Sequence, residues 1–135
     1  LISTEEDTAK VLKIRGDSYQ EVARKLAERF NFEAVCITIR TDLSVLRNQW
    51  TAIVYADGRV HEDKTYDVEI IDRVGAGDSF SSGFLYGYTT GDVEKGLRYG
   101  NAYAALEHSI PGDINWCTLQ ELESVVAGGG TRISR

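Results

Sequence analysis

Ile71-Asp72-Arg73-Val74-Gly75-Ala76-Gly77-Asp78-Ser79-Phe80 is the stretch of this 135-residue sequence whose residue types and spacing carry the most chemistry. It follows a strand-like run and precedes an apolar helical pattern, so the Gly75-Ala76-Gly77 turn falls at a helix N-terminus. Main-chain N–H groups there have no intrahelical acceptor, and the macrodipole is positive. Glycine removes the Cβ that would hold an anion away from the backbone. Such a turn can receive a phosphoryl group in transfer, and Asp78, in the first helical turn, can accept a proton from an attacking hydroxyl. The plainer alternative is a tight strand-to-helix turn with Asp78 as its cap. The pattern is neither GxxxxGK[ST] nor GxGxxG, which excludes the P-loop and dinucleotide fingerprints.

The elements that must hold this turn follow from periodicity and capping. Ser3-Thr4-Glu5-Glu6 reads as a capping box opening a short helix to about Ile14, and Ser18-Tyr19-Gln20-Glu21 as a second box. Val22, Ala23, Leu26, Ala27 and Phe30 recur at helical spacing behind it. Ala34 to Ile39 is a compact β-branched run, expected to be a strand buried on both faces of a parallel sheet. Asp57-Gly58, between Trp50–Tyr55 and Arg59–His61, predicts a hairpin. Thr65 to Ile71 reads as a further strand. Helices are expected over Gly77–Tyr88, over Asp92–His108 with Asp92 as N-cap, and over Thr118–Val126 behind the box Thr118-Leu119-Gln120-Glu121. Residues 1–127 read as one unit and 128–135 as a flexible tail.

Composition narrows the function classes. Hydrophobic residues make up 42% and charged residues 27%, in a globular range. Net charge is −6 with scattered basic residues, so no nucleic-acid footprint is expected. No apolar run suggests a membrane span and no leader pattern opens the chain. Cys36 and Cys117 stand apart from each other and from histidines at metal spacing, which points to a reducing cytosol and away from zinc. His61 and His108 read as surface histidines, and Trp50, Trp116, Tyr86 and Tyr88 as packing residues. The sequence lacks Met and opens on Leu1, as either processing of the first residue or a cut from a longer polypeptide would leave it.

The run Asp72-Arg73-Val74-Gly75-Ala76-Gly77-Asp78-Ser79-Phe80, with Gly83 one turn later, closely resembles the second signature of the ribokinase-like (PfkB) carbohydrate kinases. The resemblance extends over the order of elements, over Asn101-Ala102-Tyr103-Ala104-Ala105 and over the Pro111-Gly112-Asp113 loop. It implies an α/β fold, the C-terminal part of a ribokinase-like three-layer α/β/α sandwich carrying a β-hairpin. It also implies ATP-dependent phosphorylation of a primary hydroxyl on a small sugar or sugar acid, with ADP as product and Mg²⁺ brought in by ATP.

Residue by residue, the resemblance makes Asp78 the catalytic base, in contact with substrate, and Gly75, Ala76 and Gly77 the anion hole. Thr38, Asn101, Ala104 and Gly112 match positions around the nucleotide. Where the family often has a glycine turn after Thr38, Arg40-Thr41-Asp42 stands here, so backbone phosphate contact gives way to charge from Arg40. Asp72 matches a position associated in some members with a monovalent cation such as K⁺; pairing with Arg73 is its alternative. Asp72-Arg73 and Pro111-Gly112-Asp113-Ile114 look most like the members acting on 2-keto-3-deoxygluconate, with Asp113 near the reacting hydroxyl or simply a turn carboxylate. Ribokinase- or fructokinase-type members, a non-catalytic nucleotide-binding relative and a purely structural module remain alternatives. Family members are longer, so most of the sugar site, and a lid that often mediates homo-oligomers, are expected outside this chain.

Overall fold

The computed structural model describes residues 1–131, apart from the Glu5 side chain. Strands β1 (Ile2–Thr4) and β2 (Ala34–Ser44) are parallel neighbours, paired from Ile2↔Cys36 to Thr4↔Thr38. Helices α1 (Glu5–Lys10) and α2 (Tyr19–Phe30) cross over between them, completing a βαβ unit. Strand β3 (Arg47–Ala56) runs antiparallel to β2 along most of its length. The other edge of β3 is shared: its C-terminal half pairs with β4 (Arg59–Glu62) and its N-terminal half with β5 (Tyr66–Glu69). Helices α3 (Ala76–Tyr88), α4 (Val93–Glu107) and α5 (Leu119–Val126) complete the chain.

Strand alternation sends side chains to two cores. Val35, Ile37 and Ile53 meet Val22, Ala23, Leu26 and Ala27 of α2 on one face. Cys36, Trp50, Ala52 and Val54 meet Phe80, Phe84, Leu97 and Leu106 on the other. This is the expected three-layer α/β/α arrangement, and Asp57 (φ 52°) with Gly58 (φ 76°) makes the expected hairpin turn.

Three local expectations are corrected. Ser3 is not a helix cap: Ile2 to Thr4 pair with β2, and the Thr4 hydroxyl accepts from Asp7 N at 3.1 Å as N-cap of a helix that ends at Lys10. The second box is half made, because Glu21 accepts from Asp17 N (2.7 Å) while Ser18 accepts from Glu21 N. Strand β2 lies in a mixed sheet and continues through Arg40-Thr41-Asp42 into a long arm with β3. The caps at Asp92 and Thr118 form as read, the latter as a full capping box. Gly128 N and Gly129 N bond back to Val125 O and Ser124 O, so the α5 cap reaches into the expected tail, whose residues 132–135 lie outside those described. Among the described residues no helix is long and apolar enough to cross a membrane.

Helices α3 and α4 touch backbone to backbone. Gly83 and Gly87 on one face Gly96 and Gly100 on the other; a Cβ at Gly83 would lie 2.7 Å from Tyr99 O, and one at Gly100 2.7 Å from Phe80 O. A Cβ at Gly87 would overlap Gly96 N. Gly87→Ala must therefore push the helices apart and is expected to destabilise the protein by about 3 kcal/mol, read from urea unfolding. An unchanged midpoint would contradict this packing.

Candidate active site

Gly75 is the N-cap of α3 at φ 86°, in the left-handed region, and no side chain caps the helix. Asp78 is therefore not spent as a cap. It is exposed, and among the described residues no hydrogen bond holds its carboxylate. The N–H groups of Ala76, Gly77 and Asp78 have no acceptor within the helix. A Cβ at Gly77 would meet nothing within 4 Å, so the turn is open on that side.

Ala76 and Gly77 help line a cavity of about 360 Å³ at the C-terminal ends of the parallel pair β1 and β2, where open α/β sheets place ligands. Thr38 and Arg40 line it. Arg73 lines it too, and both guanidiniums rest on one carboxylate: Asp42 Oδ1 is 3.5 Å from Arg40 Nε and 3.6 Å from Arg73 Nη1. Asp42 is thus shared by two cations, while Glu6, the other carboxylate lining the cavity, pairs with Lys10. The floor is Trp50 and His108, their rings 5.4 Å apart.

Asp72 anchors the turn from outside the cavity. Its Oδ1 accepts from Arg73 N (2.7 Å) and Val74 N (3.1 Å), and its Oδ2 from Gly112 N (3.0 Å). Those bonds, Gly112 foremost, hold its carboxyl below the usual range. No ion pair with Arg73 forms, since that guanidinium reaches Asp42 and Val45 O. Three accepted bonds leave Oδ2 one further acceptor position.

Other expected site residues lie elsewhere. Asn101 and Ala104 have no exposed surface, and Asn101 donates to Asp63 Oδ2 and Lys64 O, both at 2.9 Å. Asn101 braces the β4–β5 connection, and neither residue lines the cavity. Gly112 and Asp113 sit behind the turn: a Cβ at Gly75 would lie 3.1 Å from the Asp113 backbone.

Both histidines are buried, against expectation. His61 lies under Arg59 and beside Glu94 (3.4 Å). His108 Nδ1 donates to Ala104 O at 2.7 Å, and burial lowers its pKa, leaving a neutral ring with Nε2 as an acceptor. Burial pushes both thiols up to about 12, so neither cysteine is poised as a nucleophile.

Sequence reasoning missed Arg73, Trp50 and His108 as cavity walls. The available signal was the strand alternation that sets Thr38, Arg40 and Trp50 on one face.

Residues 7–120 match the pfkB family of carbohydrate kinases. The chain belongs to this family. It is 35% identical, over 136 aligned positions and its whole length, to a 2-dehydro-3-deoxygalactonokinase of Haloferax volcanii, and covers 40% of that relative. A 5-dehydro-2-deoxygluconokinase of Bacillus licheniformis is 38% identical over 74 residues, 52% of this chain and 22% of its own. The crystal structure of a 2-dehydro-3-deoxygluconokinase from Thermotoga maritima superposes with a TM-score of 0.91 at 36% identity, over 95% of this chain and 41% of that one. The chain thus spans about two fifths of the length of these two full-coverage relatives. Within the pfkB chain, the open helix N-terminus and the Arg40–Arg73 wall fit a nucleotide's phosphates. Among the described residues no group of three or more His, Cys, Asp or Glu side chains could hold a metal ion.

Proposed function

We propose that this chain is the nucleotide-binding and catalytic part, residues 1–127, of an ATP-dependent kinase that phosphorylates a primary hydroxyl of a 2-keto-3-deoxy sugar acid, 2-keto-3-deoxygluconate first among them. One observation carries the reading: an uncapped helix N-terminus with an uncommitted carboxylate in its first turn opens beside a cavity lined by Arg40 and Arg73. The γ-phosphoryl group of ATP lies against the N–H groups of Ala76, Gly77 and Asp78, and Arg40 and Arg73 turn from Asp42 to the polyphosphate. The sugar hydroxyl attacks phosphorus in line, a P–O bond forms, and the bond to the ADP oxygen breaks. Asp78 takes the hydroxyl proton as the charge develops. Mg²⁺ would enter on the phosphates, as the family implies.

The acid is supported by two full-coverage relatives, named for the deoxygluconate and deoxygalactonate forms, which differ only in configuration at one carbon. Asp113, on the loop behind Gly75, is the residue of this chain proposed to meet the substrate. The two unpaired thiols suit a reducing cytosol.

The test is a coupled ADP-release assay on the full-length protein with both epimeric acids, ribose and fructose. One of the acids is expected to give a kcat/KM at least about tenfold above ribose and fructose. Turnover of ribose or fructose alone would move the assignment to those kinase types. Nucleotide binding by calorimetry without turnover would mark a non-catalytic relative, and no binding at all a structural module.

A further inference from the structure

Helix α4 ends on a buried carboxyl that is only half satisfied. Glu107 has no exposed surface. Ser79 Oγ donates to its Oε2 at 3.3 Å, while Oε1 has no hydrogen-bond partner among the described residues. Oε1 faces the phosphate turn, and a Cβ at Gly75 would lie 2.6 Å from it. A half-satisfied buried carboxyl is costly, and an apolar side chain would fill this helix end without that cost. Both residues it meets belong to the first turn of α3: Gly75 and Ser79 bracket Ala76, Gly77 and Asp78. Ser79 Oγ also accepts from Asn115 Nδ2 (3.2 Å), which in turn donates to Tyr103 O (3.0 Å). Tyr103 OH donates to Asn115 O (3.0 Å). The Glu107–Ser79–Asn115–Tyr103 chain joins the phosphate turn to α4 and to the loop that follows it.

We propose that Glu107 is a positioning residue, whose buried carboxyl seats the first turn of α3 and so fixes the N–H groups that receive the transferred phosphoryl group. The proposal rests on the kinase reading above. Burial pushes the carboxyl up, the Ser79 hydrogen bond opposes this, and Asp113 and Asp72 push it up further. Tyr103 and Cys117, also nearby, have raised pKa values and stay neutral. None of the influences on Glu107 comes from a basic side chain. Ionised, it would set a negative charge beneath a turn that must hold an anion.

The experiment compares wild type, Glu107→Gln and Glu107→Leu in the full-length protein, with Glu107→Met in place of leucine should that variant not fold. Glutamine keeps the shape and an oxygen that can accept from Ser79, and is expected to keep kcat within about threefold, whereas leucine lowers kcat by about tenfold or more with both KM values little changed. A fully active leucine variant, or a glutamine variant as impaired as leucine, would overturn the proposal. The second outcome would mean that the ionised form is needed, for example to hold a cation.

Thermal unfolding against pH gives a readout independent of turnover. A raised folded-state pKa means stability is full below the ordinary carboxyl value and lost as pH climbs through the folded value. Wild type should lose stability relative to Glu107→Gln over that span. If no sugar acid is turned over, the kinase reading fails on its own, and parallel unfolding curves would then reject the role given to Glu107.

Discussion

Asp78→Asn in the full-length protein is expected to lower kcat by about 10²- to 10⁴-fold, the usual worth of a general base, while ATP affinity stays within about threefold. Asparagine has the shape of aspartate but cannot take the proton of an attacking hydroxyl. Nothing else should change much. Asp78 is exposed and holds no cap, and the N–H groups of the turn belong to the backbone. Losing a carboxylate from the first turn of α3 costs about 0.3–1 kcal/mol of helix-dipole interaction, too little to unfold the protein. Steady-state ADP release paired with calorimetric ATP titration separates the two quantities. Turnover at the wild-type rate would remove Asp78 from the mechanism.

Gly75→Ala is the second large effect, and it acts through geometry. At φ 86° a residue with a Cβ is strained by about 1–2 kcal/mol. The new methyl would also collide with Glu107 Oε1 and the Asp113 backbone, and the backbone cannot rotate aside. The turn must shift, and a displacement of about 1 Å is worth about 10²-fold in rate. A fall of about that size in kcat, with a lowered melting temperature, is expected. Gly77→Ala is the matched control: its Cβ meets nothing within 4 Å, so the melting temperature should hold while the methyl obstructs the anion's approach. Wild-type activity in both variants would return Gly75-Ala76-Gly77 to the role of a simple turn.

The phosphate turn was legible because its determinants are local. Glycines that must adopt a left-handed angle or admit an anion, and a carboxylate at the third helical position, act within a few residues of one another. The caps at Asp92 and Thr118 were legible for the same reason. Strand β1 was not, since Ile2-Ser3-Thr4 is a strand only by pairing with Cys36 to Thr38, thirty-four residues on, and taken alone reads as a cap. The arm Arg40 to Gln49 is polar, with no strand signal apart from its cross-strand register. Asn101 misled because its burial depends on Asp63 and Lys64, a partner loop that no spacing announces. Glu107 went unnoticed because a glutamate at a helix end ordinarily faces water. Gly83, Gly87, Gly96 and Gly100 did carry a readable sign: paired glycines four apart on consecutive helices mark a close crossing.

That crossing has a mechanical consequence. Where side chains separate two helices, rotamer changes let one slide against the other. Backbone against backbone has no such slack, so α3 and α4 travel as a single rod pair. The start of α3 and the end of α4, which together shape the phosphate turn and its buried support, keep their spacing through thermal motion. The alignment tolerance of the site is thereby set at the glycine crossing, along the helices and away from any reacting atom.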